Sequence, residues 1–193
     1  MPPYVRRSST TTTPSTALSE ASAAAVAAPS TARLHKGNFY YSRGQYPKAL
    51  ACYKDVNANE VEFGYKAEYE FKTGYCYFVS ADYAKAKSYF GPLTKGKSKY
   101  KSSALSYYAH IQYMNHEYEL ALKNFEQLQK ERKFSKIVPN YIARIYYYLG
   151  KEDELLQMAP DLLKENDAKS ITDMMMGGDG SNIMGDLNEM HIS

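Results

Sequence analysis

The stretch Gly91-Pro-Leu-Thr-Lys-Gly-Lys97-Ser98 matches the phosphate-binding pattern G-x4-G-K-[ST] letter for letter. In a working phosphate loop that pattern follows a buried strand, and backbone N–H groups wrap the phosphates ahead of a helix. Here the preceding segment YAKAKSYF bears lysines and runs in helical register, and no apolar strand ending in Asp follows to hold Mg²⁺. The match therefore reads as a connector between helices, with phosphate or nucleotide binding at Gly91–Ser98 kept as a minor alternative. Lys95, Lys97, Lys99 and Lys101 make the connector basic, which suits either a solvated loop or an acidic partner. Tyr100 is the one aromatic among them, so no stacking platform for specific nucleic-acid binding is expected.

Other reactive side chains are scattered. His35, His110, His116 and His191 show no metal spacing, and neither Cys52 nor Cys76 lies at a ligand interval from one. Both cysteines fall inside helical patterns, where buried reduced thiols are the expected reading. Glu68 and Glu70 stand two apart on one helix and point to different faces, so they do not form a carboxylate pair across a cleft. No G-x-S-x-G elbow occurs. The expectation is a non-enzyme with no cofactor and no metal.

The elements that would position a binding surface are easier to read. ARLHKGNFYYSRGQYPKALACYKDV places Gly37, Tyr40, Ala49, Tyr53 and Val56 in register with Gly74, Tyr77, Ala86, Phe90 and Leu93, an offset of 37 residues. Ala109, Ala121, Phe125 and Leu128 follow at an offset of 35, then Ala143, Tyr146, Leu155 and Leu162 at 34. Small residues at the first place let two helices approach closely, and the rings fill the gap to the next copy. Tyr46, Tyr83 and Tyr118 each follow a short polar turn: Gly44-Gln45, Ala81-Asp82 and His116-Glu117. Pro92 and Pro160 fall late in second helices and are expected to bend or end them, and Ser135 is a candidate N-cap ahead of Pro139.

This register resembles the tetratricopeptide repeat (TPR) family, whose W-x2-L-G-x2-Y…A-x3-F…P pattern it follows from Ala32 to about Lys164. Arg33 and Lys36 replace the motif's Trp and Leu in the first copy, and the fourth copy is degenerate at Leu155 and Ala159. The wording of the later copies is similar to TPR scaffold proteins of the bacterial cell envelope. The resemblance implies an all-α, right-handed α-solenoid of about four helix-turn-helix repeats, near residues 32–58, 67–95, 102–130 and 136–164, within a domain spanning 32–165. It also implies a non-catalytic protein–protein interaction scaffold. Its concave groove would be lined by Asn38, Tyr41, Tyr75, Phe78, His110, Tyr113, Asn140, Arg144 and Tyr147. Tyrosine and arginine in such a strip supply stacking area and directional donors for a peptide or protein segment. A subclass of the family clamps a C-terminal carboxylate; Asn38 matches it, but Leu34, Ser103 and Tyr107 stand at the cation places, so that specificity is not carried over.

Composition agrees with a helical domain flanked by tails. The chain has 193 residues, is 44% hydrophobic and 23% charged, and holds 20 Tyr but no Trp. Residues 1–31 are a low-complexity Ser/Thr/Ala/Pro segment, expected to be a disordered tail; an Arg-rich, acid-poor start also suits an organelle transit peptide. Residues 166–193 hold five of the eight Met and four Gly, and read as a truncated fifth repeat or a flexible tail. That tail carries five acids against Lys169, which leaves the middle of the chain basic within an overall +3. No apolar run is long enough for a membrane span. A soluble, cytoplasmic protein is the default, with the periplasm or cell envelope as runner-up. The alternative to groove binding is a self-assembling subunit that covers its open last repeat with an identical chain, giving a homo-oligomer.

Overall fold

The computed structural model describes residues 29–165, and every regular element among them is helical. In order these are α1 (Pro29–Tyr41), α2 (Tyr46–Lys54), α3 (Phe63–Val79), α4 (Tyr83–Lys95), α5 (Lys101–Met114), α6 (Tyr118–Leu128), α7 (Val138–Tyr148) and α8 (Glu152–Glu165). A short 3-10 turn, Arg132–Phe134, precedes α7. The described residues are all-α; α1 packs on α2, and α4 to α8 pack each on the next. Two compact units are present, Met1–Lys66 and Ala67–Ser193, with the boundary inside α3. Residues 29–31, expected to belong to the N-terminal tail, are helical, because α1 begins at Pro29. The expectations for residues 1–28 and 166–193 lie outside the described residues.

Four helix pairs are joined by the same turn. Gly44, Ala81, His116 and Gly150 have φ of 68°, 59°, 61° and 66°, the left-handed conformation. The next residue's N–H reaches back five places each time: Gln45 to Tyr40 O (3.0 Å), Asp82 to Tyr77 O (3.0 Å), Glu117 to Gln112 O (2.9 Å) and Lys151 to Tyr146 O (2.9 Å). The left-handed residue itself donates three places back, to Tyr41, Phe78, Tyr113 and Tyr147 O. This is the Schellman arrangement, which satisfies the orphan carbonyls of a helix end and turns the chain sharply. The residue after it immediately opens the next helix, since Ala49, Ala86, Ala121 and Leu155 donate to the carbonyls of Gln45, Asp82, Glu117 and Lys151. Only Gly is at ease with positive φ, and Ala81 sits there exposed. Ala81→Gly is expected to raise stability by about 1 kcal/mol in chemical denaturation. Gly44→Ala, whose added Cβ would meet no atom within 4 Å, is expected to lose a similar amount through the backbone alone. An unchanged or lower midpoint for Ala81→Gly would contradict this account of the turns.

The interior of each unit is built from the register positions. In the first unit Leu34, Ala49, Tyr53 and Val56 are buried, and a Cβ added to Gly37 would overlap the Tyr53 ring. Ser30 Oγ donates to Glu60 Oε2 (2.5 Å) and accepts from the Asn57 N–H (3.2 Å), which ties the start of α1 to the segment after α2. Thus α1 is anchored through Leu34, Gly37 and Ser30, although the motif's Trp and Leu are missing. In the second unit a Cβ added to Gly74 would stand 3.0 Å from Phe90 Cε1, and Ala86, Phe90, Ala109, Ala121, Phe125 and Leu128 are all buried. The fourth copy is looser: Leu155 and Ala159 are only half-buried, while Leu162 is buried.

Several local expectations are corrected. Pro92 and Pro160 lie inside α4 and α8 rather than ending them. Each loses one helical N–H, and burial of Leu93 and Leu162 beyond them holds the final turns in place. Ser135 does not cap α7; its hydroxyl donates to Arg132 O (3.0 Å), and Ile137 occupies the cap position. Gly91–Lys95 belong to α4, so only residues 96–100 form the α4–α5 connection. A phosphate cradle cannot be wrapped from residues whose N–H groups are inside a helix. Cys76 is buried, which pushes its thiol up to about 12, whereas Cys52 is half-buried.

Candidate partner-binding surface

In the first unit, Asn38 is partly shielded and its Oδ1 accepts the Tyr53 hydroxyl at 2.7 Å. Tyr41 is half-buried, edge-on to Tyr46 with ring centres 5.5 Å apart. Both side chains are thus engaged locally, and each keeps an exposed part. Phe39 is more open, with the Arg43 guanidinium 3.7 Å above its ring.

In the second unit the residues expected to line one groove separate into two groups. Tyr75, Phe78 and His110 are only 3%, 3% and 1% exposed, which corrects their expected role as open groove residues. Their rings pack on the chain itself. Tyr107 lies edge-on to Tyr75 (5.5 Å) and is tilted on Phe78 (4.9 Å). Phe78 meets His110 at 5.6 Å, and His110 Nδ1 shares a hydrogen bond with the Tyr141 hydroxyl at 2.6 Å. Tyr141 in turn stacks on Phe125 at 4.5 Å. The physical reason is that α3 is covered nearly all round, with residues 73–78 buried in succession. Burial holds the His110 imidazole neutral, its pKa down from the ordinary 6.5 to about 4.

The other group is accessible. Tyr147 is exposed, Tyr113, Asn140 and Arg144 are half-buried, and Asn140 Nδ2 donates to Lys136 O at 3.2 Å. Two residues outside the expected set complete this surface. Tyr148, also exposed, stacks face to face on Tyr118 with ring centres 4.9 Å apart and planes 7° off parallel. Tyr113 lies edge-on to Tyr118 (5.9 Å) and near Tyr148 (6.3 Å). His116 Nδ1 meets the Tyr118 hydroxyl at 2.7 Å. Burial pushes the Tyr113 hydroxyl up to about 12, against the opposing pull of the Arg144 guanidinium. Its phenol stays neutral and able to donate. The signal for Tyr148 was present in the sequence: Tyr146, Tyr147 and Tyr148 project 100° apart on a helix, so they cannot all be turned inward. Tyr118 recurs after the turn like Tyr46 and Tyr83, but that place did not separate surface from core.

The α4–α5 connection keeps its basic character, with Lys95, Lys97, Lys99 and Lys101 exposed. No helix among the described residues is long and apolar enough to cross a membrane. Comparison of the chain with protein-family models and with curated proteins returns no match.

Proposed function

We propose that the chain is a non-catalytic interaction scaffold of tetratricopeptide type that binds a peptide or protein segment. The contact surface is the tyrosine-rich patch of α5 and α7, centred on Tyr113, Arg144, Tyr147 and Tyr148. The observation that carries this reading is the patch itself. Tyr147 and Tyr148 are 62% and 54% exposed, and stand beside the half-buried Tyr113 and Arg144. Large rigid rings beside a guanidinium are the side chains that dominate binding energy at protein interfaces, because they bury much area for little lost rotamer freedom. The repeat reading is supported by the left-handed turn residues at 44, 81, 116 and 150, whose spacings match the sequence offsets.

A display library of random peptides selected on the folded chain tests the proposal. Selected peptides are expected to lose about tenfold or more in affinity against Arg144→Ala/Tyr147→Ala, by fluorescence anisotropy. Tyr147 is exposed, so the variant should fold normally, which circular dichroism checks. Equal affinity for wild type and variant, or no selected binder at all, would overturn the assignment of this surface.

A further inference from the structure

One edge of the second unit carries a cluster of cations that no ion pair among the described residues neutralises. Lys95, Lys97, Lys99 and Lys101 lie around the α4–α5 connection, all exposed. Lys130, Arg132, Lys133 and Lys136, also exposed, lie around the connection from α6 to α7. The two connections are neighbours in space. Ser102 Oγ donates to Glu131 Oε1 at 2.6 Å, and Lys133 Nζ donates to Ser103 Oγ at 3.4 Å. Among the described residues, no ion pair involves any of these eight cations.

The arrangement also works against local stability. α5 opens at Lys101, and α7 opens just after Lys136; neither has an acid in its first turn or a side-chain cap. A helix N-terminus carries positive partial charge, so cations placed there are repelled. Lys133 reaches the Ser103 hydroxyl, and Lys99 and Lys133 lie over the Tyr100 and Phe134 rings at 5.0 and 5.8 Å, but no carboxylate among the described residues offsets these charges. Positions where a sequence breaks such a rule are where function is to be sought.

The chemistry of the edge narrows its partner. Three of the backbone N–H groups at this connection are already engaged, Gly96 with Leu93 O (3.3 Å), Tyr100 with Ser98 Oγ (3.0 Å) and Lys101 with Ser98 O (3.0 Å), so recognition falls mainly to the side chains. Tyr100 is stacked on Phe71 at 5.0 Å and Phe134 is buried, so no ring is offered to a base or to a bilayer. Seven of the eight cations are lysines, which act as point charges rather than as bidentate forks. Elsewhere in residues 67–165, seven cations stand against eleven acids, so the positive field is confined to this edge. A duplex or a membrane plane would extend past it onto negative surface, whereas a short segment would not.

We propose that this edge is a docking surface for a carboxylate-rich protein segment, separate from the tyrosine patch. The test uses the full chain and a labelled peptide of about sixteen alternating Glu and Ser residues, in about 50 mM salt where surface charge is little screened. Lys97→Gln/Lys99→Gln/Lys133→Gln/Lys136→Gln should weaken binding by about tenfold or more, since four point charges are removed from the contact. The control Lys36→Gln/Lys48→Gln/Lys66→Gln/Lys123→Gln has the same net charge and should weaken it less than about twofold. Because the first variant removes cations near two helix N-termini, its thermal midpoint should equal or exceed that of wild type. Several results would overturn the proposal: no binding, equal weakening by both variants, or a lowered midpoint for the first. Tighter binding of phosphatidylserine vesicles or of a short DNA duplex than of the peptide would do so too.

Discussion

Phe90→Ala is expected to destabilise the fold by about 3–5 kcal/mol, the range for truncating a fully buried ring. Phe90 is 0% exposed, stacks on Tyr107 with ring centres 5.4 Å apart, and sits 5.8 Å from Phe71. It also fills the space that Gly74 leaves, where an added Cβ would stand only 3.0 Å from its Cε1. No neighbour can move in cheaply, because Tyr107 is held by Phe78 and Tyr75 on its other sides. The cavity would therefore persist, and its cost adds to the lost transfer free energy. Urea denaturation of wild type and variant measures the difference. A loss below about 1 kcal/mol would mean that the α3–α4–α5 packing is not the centre of this unit.

Acidification supplies the second large effect. His110 is 1% exposed and its pKa is lowered from 6.5 to about 4 by burial, so the folded chain binds this proton less readily than the unfolded chain does. Its stabilising contribution is intact above pH 6.5, falls as pH drops from 6.5 towards 4, and levels off below that. The loss amounts to about 3 kcal/mol. Carboxylates held by partners, half-buried Glu117 by Lys87 among them, have lowered pKa values and add acid sensitivity at lower pH. His110→Gln keeps a hydrogen-bonding group near the Tyr141 hydroxyl but does not titrate in this window. Its stability should therefore be flatter than wild type between pH 6.5 and 4, whatever its absolute value. Parallel curves for the two proteins would contradict the buried, neutral imidazole.

The helical hairpins were legible because the residues that define them are few in kind and repeat. Ala49, Ala86 and Ala121 are each 0% exposed, and Tyr53, Phe90 and Phe125 follow four residues later at 0%, 0% and 1%. Small-then-aromatic spacing of this sort is dictated by how closely two helices must approach, so sequence and structure agree there. Turns were legible for a similar reason: Gly44 and the polar pairs after Tyr77 and Gln112 mark chain reversals. The proposed contact surface was only half legible. A family pattern places residues on a helix face, but it does not say whether that face is open. α3 and α5 are apolar on several faces, so periodicity could not separate Tyr75, Phe78 and His110 from a groove lining. α7 carries Arg144 and Tyr147 on a face where a charged group and the middle one of three consecutive tyrosines require water, and there the expectation pointed to accessible side chains. Pro92 and Pro160 do not end their helices, because propensity describes isolated helices, while buried Leu93 and Leu162 decide the ends of α4 and α8.

The claim that the α5–α7 tyrosine patch is the contact surface is tested most directly by photo-crosslinking. A benzophenone side chain is placed at Tyr147 or, as a control, at Gln127, an exposed position on α6. Each protein is irradiated with a display-selected peptide. Covalent capture from position 147 and none from 127 is the predicted result. Capture from 127, or equal capture from both, would contradict it.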